Sequence, residues 1–184
     1  MAAPPKQATE VLEFWFAEHG FKDWFAKSPE FDAEIRARFG PLHAAAVAGE
    51  LDHWAETPAG VLALILMLDQ FSRNLHRGNA RAFAADAKAL GLARQVLERG
   101  LDNGLGDLER AFLFLPFEHS EAPRDQELSV QCFAGIADPL YLKSAAEHKA
   151  IIDRFGRYPH RNAALGREST PEEIAFLAAP GSSF

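Results

Sequence analysis

Apolar residues recur at three- and four-residue intervals along almost the whole chain, and the strict alternation of a half-buried strand is nearly absent. Val11, Leu12, Phe14, Trp15 and Phe16 load a first helix over 6–18 with aromatic side chains. Ser28-Pro29 supplies the N-cap and first-turn proline of a second helix. It runs toward Gly49, with a bend expected at Gly40-Pro41. Thr57-Pro58 repeats the start signal for a third helix reaching about Asn74. Its opening, AGVLALILML (59–68), is apolar on every side and therefore belongs at the centre of the fold. Asn79 caps a fourth helix, with Phe83, Ala87, Leu90 and Leu97 turned inward and Gly100 beyond its end.

The second half continues in the same style. Asp107 opens a fifth helix through LERAFLFLPFEHSE, with a kink expected at Pro116. Residues 123–137 form a sixth, whose stripe of Leu128, Cys132, Phe133 and Ile136 places the cysteine in the core. Residues 140–155 form a seventh, stopped by Gly156, and Thr170 with Glu173 makes the capping box of a short eighth. Short connections make neighbouring helices antiparallel hairpins. The pattern thus predicts an all-α fold, one domain of about eight helices.

Composition narrows the function classes. The chain has 184 residues, 48% of them hydrophobic, enough to bury a sizeable core and argue against disorder. A net charge of −7 argues against nucleic acid or an anionic membrane as the main partner, since both need a broad cationic face. The single cysteine excludes an internal disulfide and suits a reducing compartment. No basic region followed by an apolar stretch opens the chain, and the ten-residue apolar run is too short to span a bilayer. The expectation is a soluble, cytoplasmic protein.

Three segments set charged groups beside strongly apolar sequence. In LDQFSRNLHRG (68–78), Asp69 and Arg73, Gln70 and Asn74, and Arg73 and Arg77 are each four apart and share a helix face while the helix lasts. In FLPFEHSE (114–121), Glu118 and Glu121 stand one turn apart around His119 and Ser120. In RFGRYPHRNAALGR (154–167), four arginines and a histidine occur with no lysine and no acid. Arginine's planar fork binds carboxylate or phosphate through two bonds and dehydrates more readily than an ammonium.

These motifs, with VLEFWF near the start, resemble a bacterial family known as domain of unknown function 924, over nearly the whole chain from about Val11 to Leu177. The resemblance implies an all-helical, tetratricopeptide-like fold and no established activity. The chain departs from the family pattern at Ser72 (usually proline) and Tyr158 (usually phenylalanine). The pattern falls on Asp69, Gln70, Arg73, Asn74, Arg77, His119, Glu121, Arg157, His160, Arg161, Asn162 and Arg167.

Six arginines in the motifs (73, 77, 154, 157, 161, 167) face three acids (69, 118, 121), an excess of three. One reading is a structural network in which Arg73, Arg157 and Arg161 neutralise Asp69, Glu118 and Glu121 and fasten the C-terminal loop. Arg161→Ala should then leave a buried carboxylate unpaired. A second is a pocket for a small anionic ligand, a phosphate, carboxylate or nucleotide, held by Asp69, Gln70, Arg73, Asn74, Arg77, Arg157, Arg161, Asn162 and Arg167. His119, Glu121 and His160 are its candidates for proton transfer. A third is a concave helical scaffold gripping an acidic peptide or a protein C-terminus. No cofactor is called for. Although His119, Glu121, His148 and His160 are ligand types, no zinc spacing is present, so no metal is assigned. Ser120 lacks the context of a nucleophile, and His148 reads as a partly buried side chain bonded to backbone or carboxylate. The three tryptophans read as core.

Overall fold

The computed structural model describes residues 4–179 and Ser182, and among these residues it is helical throughout, with no strand. Helix α1 (Lys6–Glu13) passes directly into a π-helical turn, Phe14–Glu18, together covering the predicted span. A short α2 (Phe21–Trp24) follows. Helix α3 (Pro29–Ala48) starts where Ser28 Oγ accepts the Phe31 N–H at 3.2 Å and ends at Gly49, whose φ of 88° is the left-handed C-cap. It is helical through Gly40-Pro41. Pro41 faces solvent, where the carbonyl one turn earlier, stripped of its N–H partner, can bond water.

The apolar run forms the centre. Thr57 Oγ1 caps α4 (Pro58–Ile65), which continues through a π-helical turn, Leu66–Phe71, into α5 (Ser72–Leu75). Every residue from Gly60 to Ser72 is buried, as a segment apolar on all faces requires. Helix α4 packs on α1, α6 and α7, and its π-helical extension packs on α3, α6 and α7. Gly60 has a specific reason to lack a side chain: a Cβ there would lie 2.1 Å from the Trp54 carbonyl oxygen. Trp15, Trp24 and Trp54 are all buried.

Helices α6 (Asp86–Arg99), α7 (Asp107–Glu118), α8 (Pro123–Phe133) and α9 (Pro139–Phe155) pack on one another in chain order. Three expectations change here. Asn79 caps a 3-10 turn, Ala80–Phe83, and α6 starts later, so its buried face is Ala89, Leu92, Ala93 and Val96 while Ala87 is exposed. Helix α8 ends at Phe133, earlier than predicted, and turns Asp125, Gln126 and Ser129 inward. Cys132 therefore sits at the half-buried margin of the core, and burial raises its thiol to about 11, away from reactivity.

Gly156, at φ 67°, stops α9 as expected, and α10 (Pro171–Leu177) starts at the Thr170 and Glu173 capping box. Between them the chain makes a 3-10 turn, Pro159–Arg161. Its anchor is Tyr158, fully buried with Ile151 and Ile152 in a small second cluster flanked by Phe155 and Phe176. No helix among the described residues is long and apolar enough to cross a membrane.

Candidate functional site

Asp69 lies on the π-helical turn of the central helix and is 1% exposed. A carboxylate taken that far from water needs several donors, and it has them. His119 Nδ1 lies 2.8 Å from Oδ1, Gln70 Nε2 2.7 Å from Oδ2, and Arg73 Nη1 3.1 Å from Oδ1. Burial opposes ionisation of Asp69, but the charge of Arg73 and the hydrogen bonds from His119 and Gln70 outweigh it and hold the carboxyl well below its usual range. Since an ionised carboxylate only accepts, His119 Nδ1 carries the hydrogen and Nε2 presents a lone pair. Burial lowers the imidazole despite Asp69 beside it, which favours that neutral form.

Arg73 is committed. It donates to the Asp69 carbonyl at 2.8 Å and forks onto Asp86, the first residue of α6, at 2.9 and 3.0 Å. Arg161 approaches the same Asp86 only to 3.6 Å, and is itself 6% exposed. Its guanidinium lies over the rings of Phe83 (4.8 Å) and Tyr158 (4.5 Å), and its buried Nε has no hydrogen-bond partner. Burial first, then the charge of Arg73, disfavours its protonated form, but a guanidinium does not give up its proton in a protein. His160, on the same 3-10 turn, is lowered to about 4 by burial and by Arg161.

The remaining predicted residues go elsewhere. Arg77 forks onto Asp32 of α3, which also accepts from Asn74 Nδ2 at 2.8 Å. Helix α5 ends at Leu75, before Arg77, so the face shared while the helix lasts does not extend from Arg73 to Arg77, and Gln70 donates to Asp69. Arg157 forks onto Glu173 at 2.7 and 2.8 Å, and Asn162 donates to Ser169 Oγ at 3.0 Å and to Glu173 at 3.3 Å. Arg154 takes Glu172. Arg167 forks onto Glu121 at 2.8 and 3.0 Å, and Glu121 also accepts the Tyr158 N–H.

The expected excess of three arginines is thus corrected. Asp32, Asp86, Glu172 and Glu173, all outside the motif count, take Arg77, Arg73, Arg154 and Arg157. Glu118 takes none: Ser144 Oγ donates to it at 3.1 Å, His148 Nδ1 lies 3.2 Å away, and its second oxygen is buried without a partner. Burial raises Glu118 to about 8, so the acid is protonated at neutral pH. The arginine left without a carboxylate of its own is Arg161.

Asp69, Arg73, His119 and Arg161 therefore converge with Asp86, Phe83 and Tyr158, while Asn74 and Arg77, and Arg157 and Asn162, belong to separate ion networks. Sequence reasoning missed Asp86 and Asp32, each an acid in the first turn of a helix, because pairing across 13 and 45 positions carries no local signal. Tyr158 carries one. Like Ser72, it departs from the pattern of the family that the sequence resembles by carrying a hydroxyl, and its OH donates to the Glu118 carbonyl and receives the Gln126 amide at 2.9 Å. His148 is buried with Nδ1 2.9 Å from the Ser144 carbonyl, as expected of a structural histidine. Ser120 Oγ is spent on Asp125. A different grouping with cation-ligand types, Glu18, His19 and Glu34, already holds the Arg38 guanidinium.

A helical body joined to its own C-terminal loop by the half-buried Arg167–Glu121 pair and the buried Tyr158 is the class that the fold and site define. The chain belongs to the bacterial family of proteins of unknown function DUF924, whose model matches residues 11–181. It is similar to a solved structure of a protein of unknown function from Agrobacterium tumefaciens, 41% identical, with a TM-score of 0.89 over 93% of this chain and 96% of that one. No curated protein matches.

Proposed function

We propose that this protein binds a small anionic ligand at the Arg161 end of the cluster formed by Asp69, Arg73, Asp86, His119 and Arg161. One observation carries the reading: Arg161 is a buried guanidinium with an orphaned Nε and no carboxylate within hydrogen-bond distance. A buried cation is normally paired, because leaving it alone costs several kcal/mol. The rim is reachable, since the side chains of Arg73, Asp86 and His119 are 20%, 22% and 15% exposed. Nucleic acid and membrane are disfavoured as partners by the acidic balance, and the single cysteine fits a reducing cytoplasm.

A second reading, a purely structural network, is favoured by the pairing of the five other motif arginines. Calorimetric titration and melting curves with phosphate esters, nucleotides and small carboxylates separate the two. Ligand binding predicts a raised melting temperature that Arg161→Lys weakens. Absence of heat and of any melting shift across the panel would leave the structural network as the answer.

A further inference from the structure

The surroundings of Arg161 specify more than negative charge. Its guanidinium lies against the rings of Phe83 and Tyr158, its hydrogen-bonding capacity lies in the plane of its N–H groups, and the buried Nε has no partner among the described residues. Two coplanar acceptor oxygens match that edge. The number of charges is equally restrictive. Arg73 is saturated by Asp69 and Asp86, so Arg161 is the one guanidinium of this cluster with no carboxylate in hydrogen-bond distance. A carboxylate can be held on the edge of a single guanidinium, whereas a phosphate dianion calls for further cations, and Arg73 is already taken. On the same cluster, His119 Nε2 has no protein hydrogen bond among the described residues. The Asp69 bond to Nδ1 fixes it as an acceptor.

We propose that the site takes one carboxylate group on the edge of Arg161 and accepts an O–H or N–H of the same ligand at His119 Nε2. The ligand is thus a carboxylic acid carrying a hydrogen-bond donor, either a small hydroxy or amino acid or the C-terminal end of a peptide. His119 is the ligand's second contact and the atom placed to receive its proton. This inference rests on the anion-binding reading above and is narrower than it.

The test is calorimetric titration of the full chain with acetate, glycolate, inorganic phosphate, and one short peptide as free acid and as C-terminal amide. Glycolate should bind about tenfold more tightly than acetate, the ratio worth one good hydrogen bond. Arg161→Gln should abolish both. In His119→Ala, glycolate should fall to the acetate level. Free-acid peptide binding well above glycolate, lost on amidation, would identify a chain terminus as the source of the carboxylate. Independently of any variant, long-range proton–nitrogen NMR should find the His119 hydrogen on Nδ1. Arg161-dependent phosphate binding without carboxylate binding would overturn the carboxylate assignment and leave the anion site standing. Failure of the whole panel would remove both. A hydrogen found on Nε2 would overturn the role given to His119.

Discussion

His119 donates from Nδ1 to Asp69 Oδ1 across 2.8 Å, although 50 positions separate them in the chain. The bond ties the residue just past the end of α7 to the π-helical turn of the central helix, and Arg73 completes the neutralisation of the same carboxylate. Asp69→Asn should accordingly cost about 3–5 kcal/mol, the penalty for breaking a buried ion pair on one side. Urea melts of the variant check this, and a loss under 1 kcal/mol would mean that Arg73 and His119 rely mainly on Asp86 and solvent.

Arg161→Ala follows a different rule from the one read off the sequence. Asp86 keeps its two bonds to Arg73, so no buried carboxylate is orphaned. The loss reduces to stacking on Phe83 and Tyr158, about 1–2 kcal/mol. A measured loss above 3 kcal/mol would show that Arg161 is the principal counter-ion of Asp86.

Glu118 makes stability fall with rising pH. Its folded carboxyl keeps the proton up to about 8, while the unfolded chain releases it near 4.5. The folded state thus binds the extra proton between those values, and stability is lost across that window and then levels off. Glu118→Gln removes this slope and should be more stable than the parent near pH 8 by a few kcal/mol. Denaturation of both proteins at about pH 5 and pH 8.5 gives the comparison, in which equal slopes would refute a protonated Glu118.

Glu173 has the opposite sign. The hydrogen bonds from Arg157 and the Thr170 backbone hold it down at about 2, so its contribution is complete above the usual glutamate range and lost as pH falls through about 2. Glu173→Gln should raise amide hydrogen exchange across 156–177 while α4 and α7 stay protected. Uniform exchange in variant and parent would mean that aromatic packing of Tyr158 and Phe176 alone holds the C-terminal segment.

Gly60→Ala should destabilise despite alanine's better helix propensity. The added Cβ has no room against the Trp54 carbonyl oxygen, and overpacking of this kind costs about 1–3 kcal/mol. Thermal melting checks it, an unchanged midpoint being the contrary result.

Much of the fold was legible because its signals are local. The proline-led starts at Pro29, Pro58 and Pro171 and the glycine stops at Gly49, Gly100 and Gly156 act within one turn of the backbone they shape. Faces were less legible. In α8 the side turned to the core carries Asp125, Gln126 and Ser129, and in α6 the late start rotated the buried stripe away from Ala87. For the polar motifs, the sequence named side chains that enter ion and hydrogen-bond networks but not their partners. Counting charges inside the motifs overstated the free arginines, since Asp32, Asp86, Glu172 and Glu173 lie outside them.

The amino-acid order alone determined an all-helical chain with its apolar third helix at the centre, because helical period, caps and uniform hydrophobicity are short-range properties. Only the tertiary structure decided which guanidinium is left over. Ion pairs form between groups brought together by packing, and the π-helical turn at Leu66–Phe71 together with the placement of α6 and α3 brought Asp86 and Asp32 to Arg73 and Arg77 and left Arg161 without a carboxylate of its own.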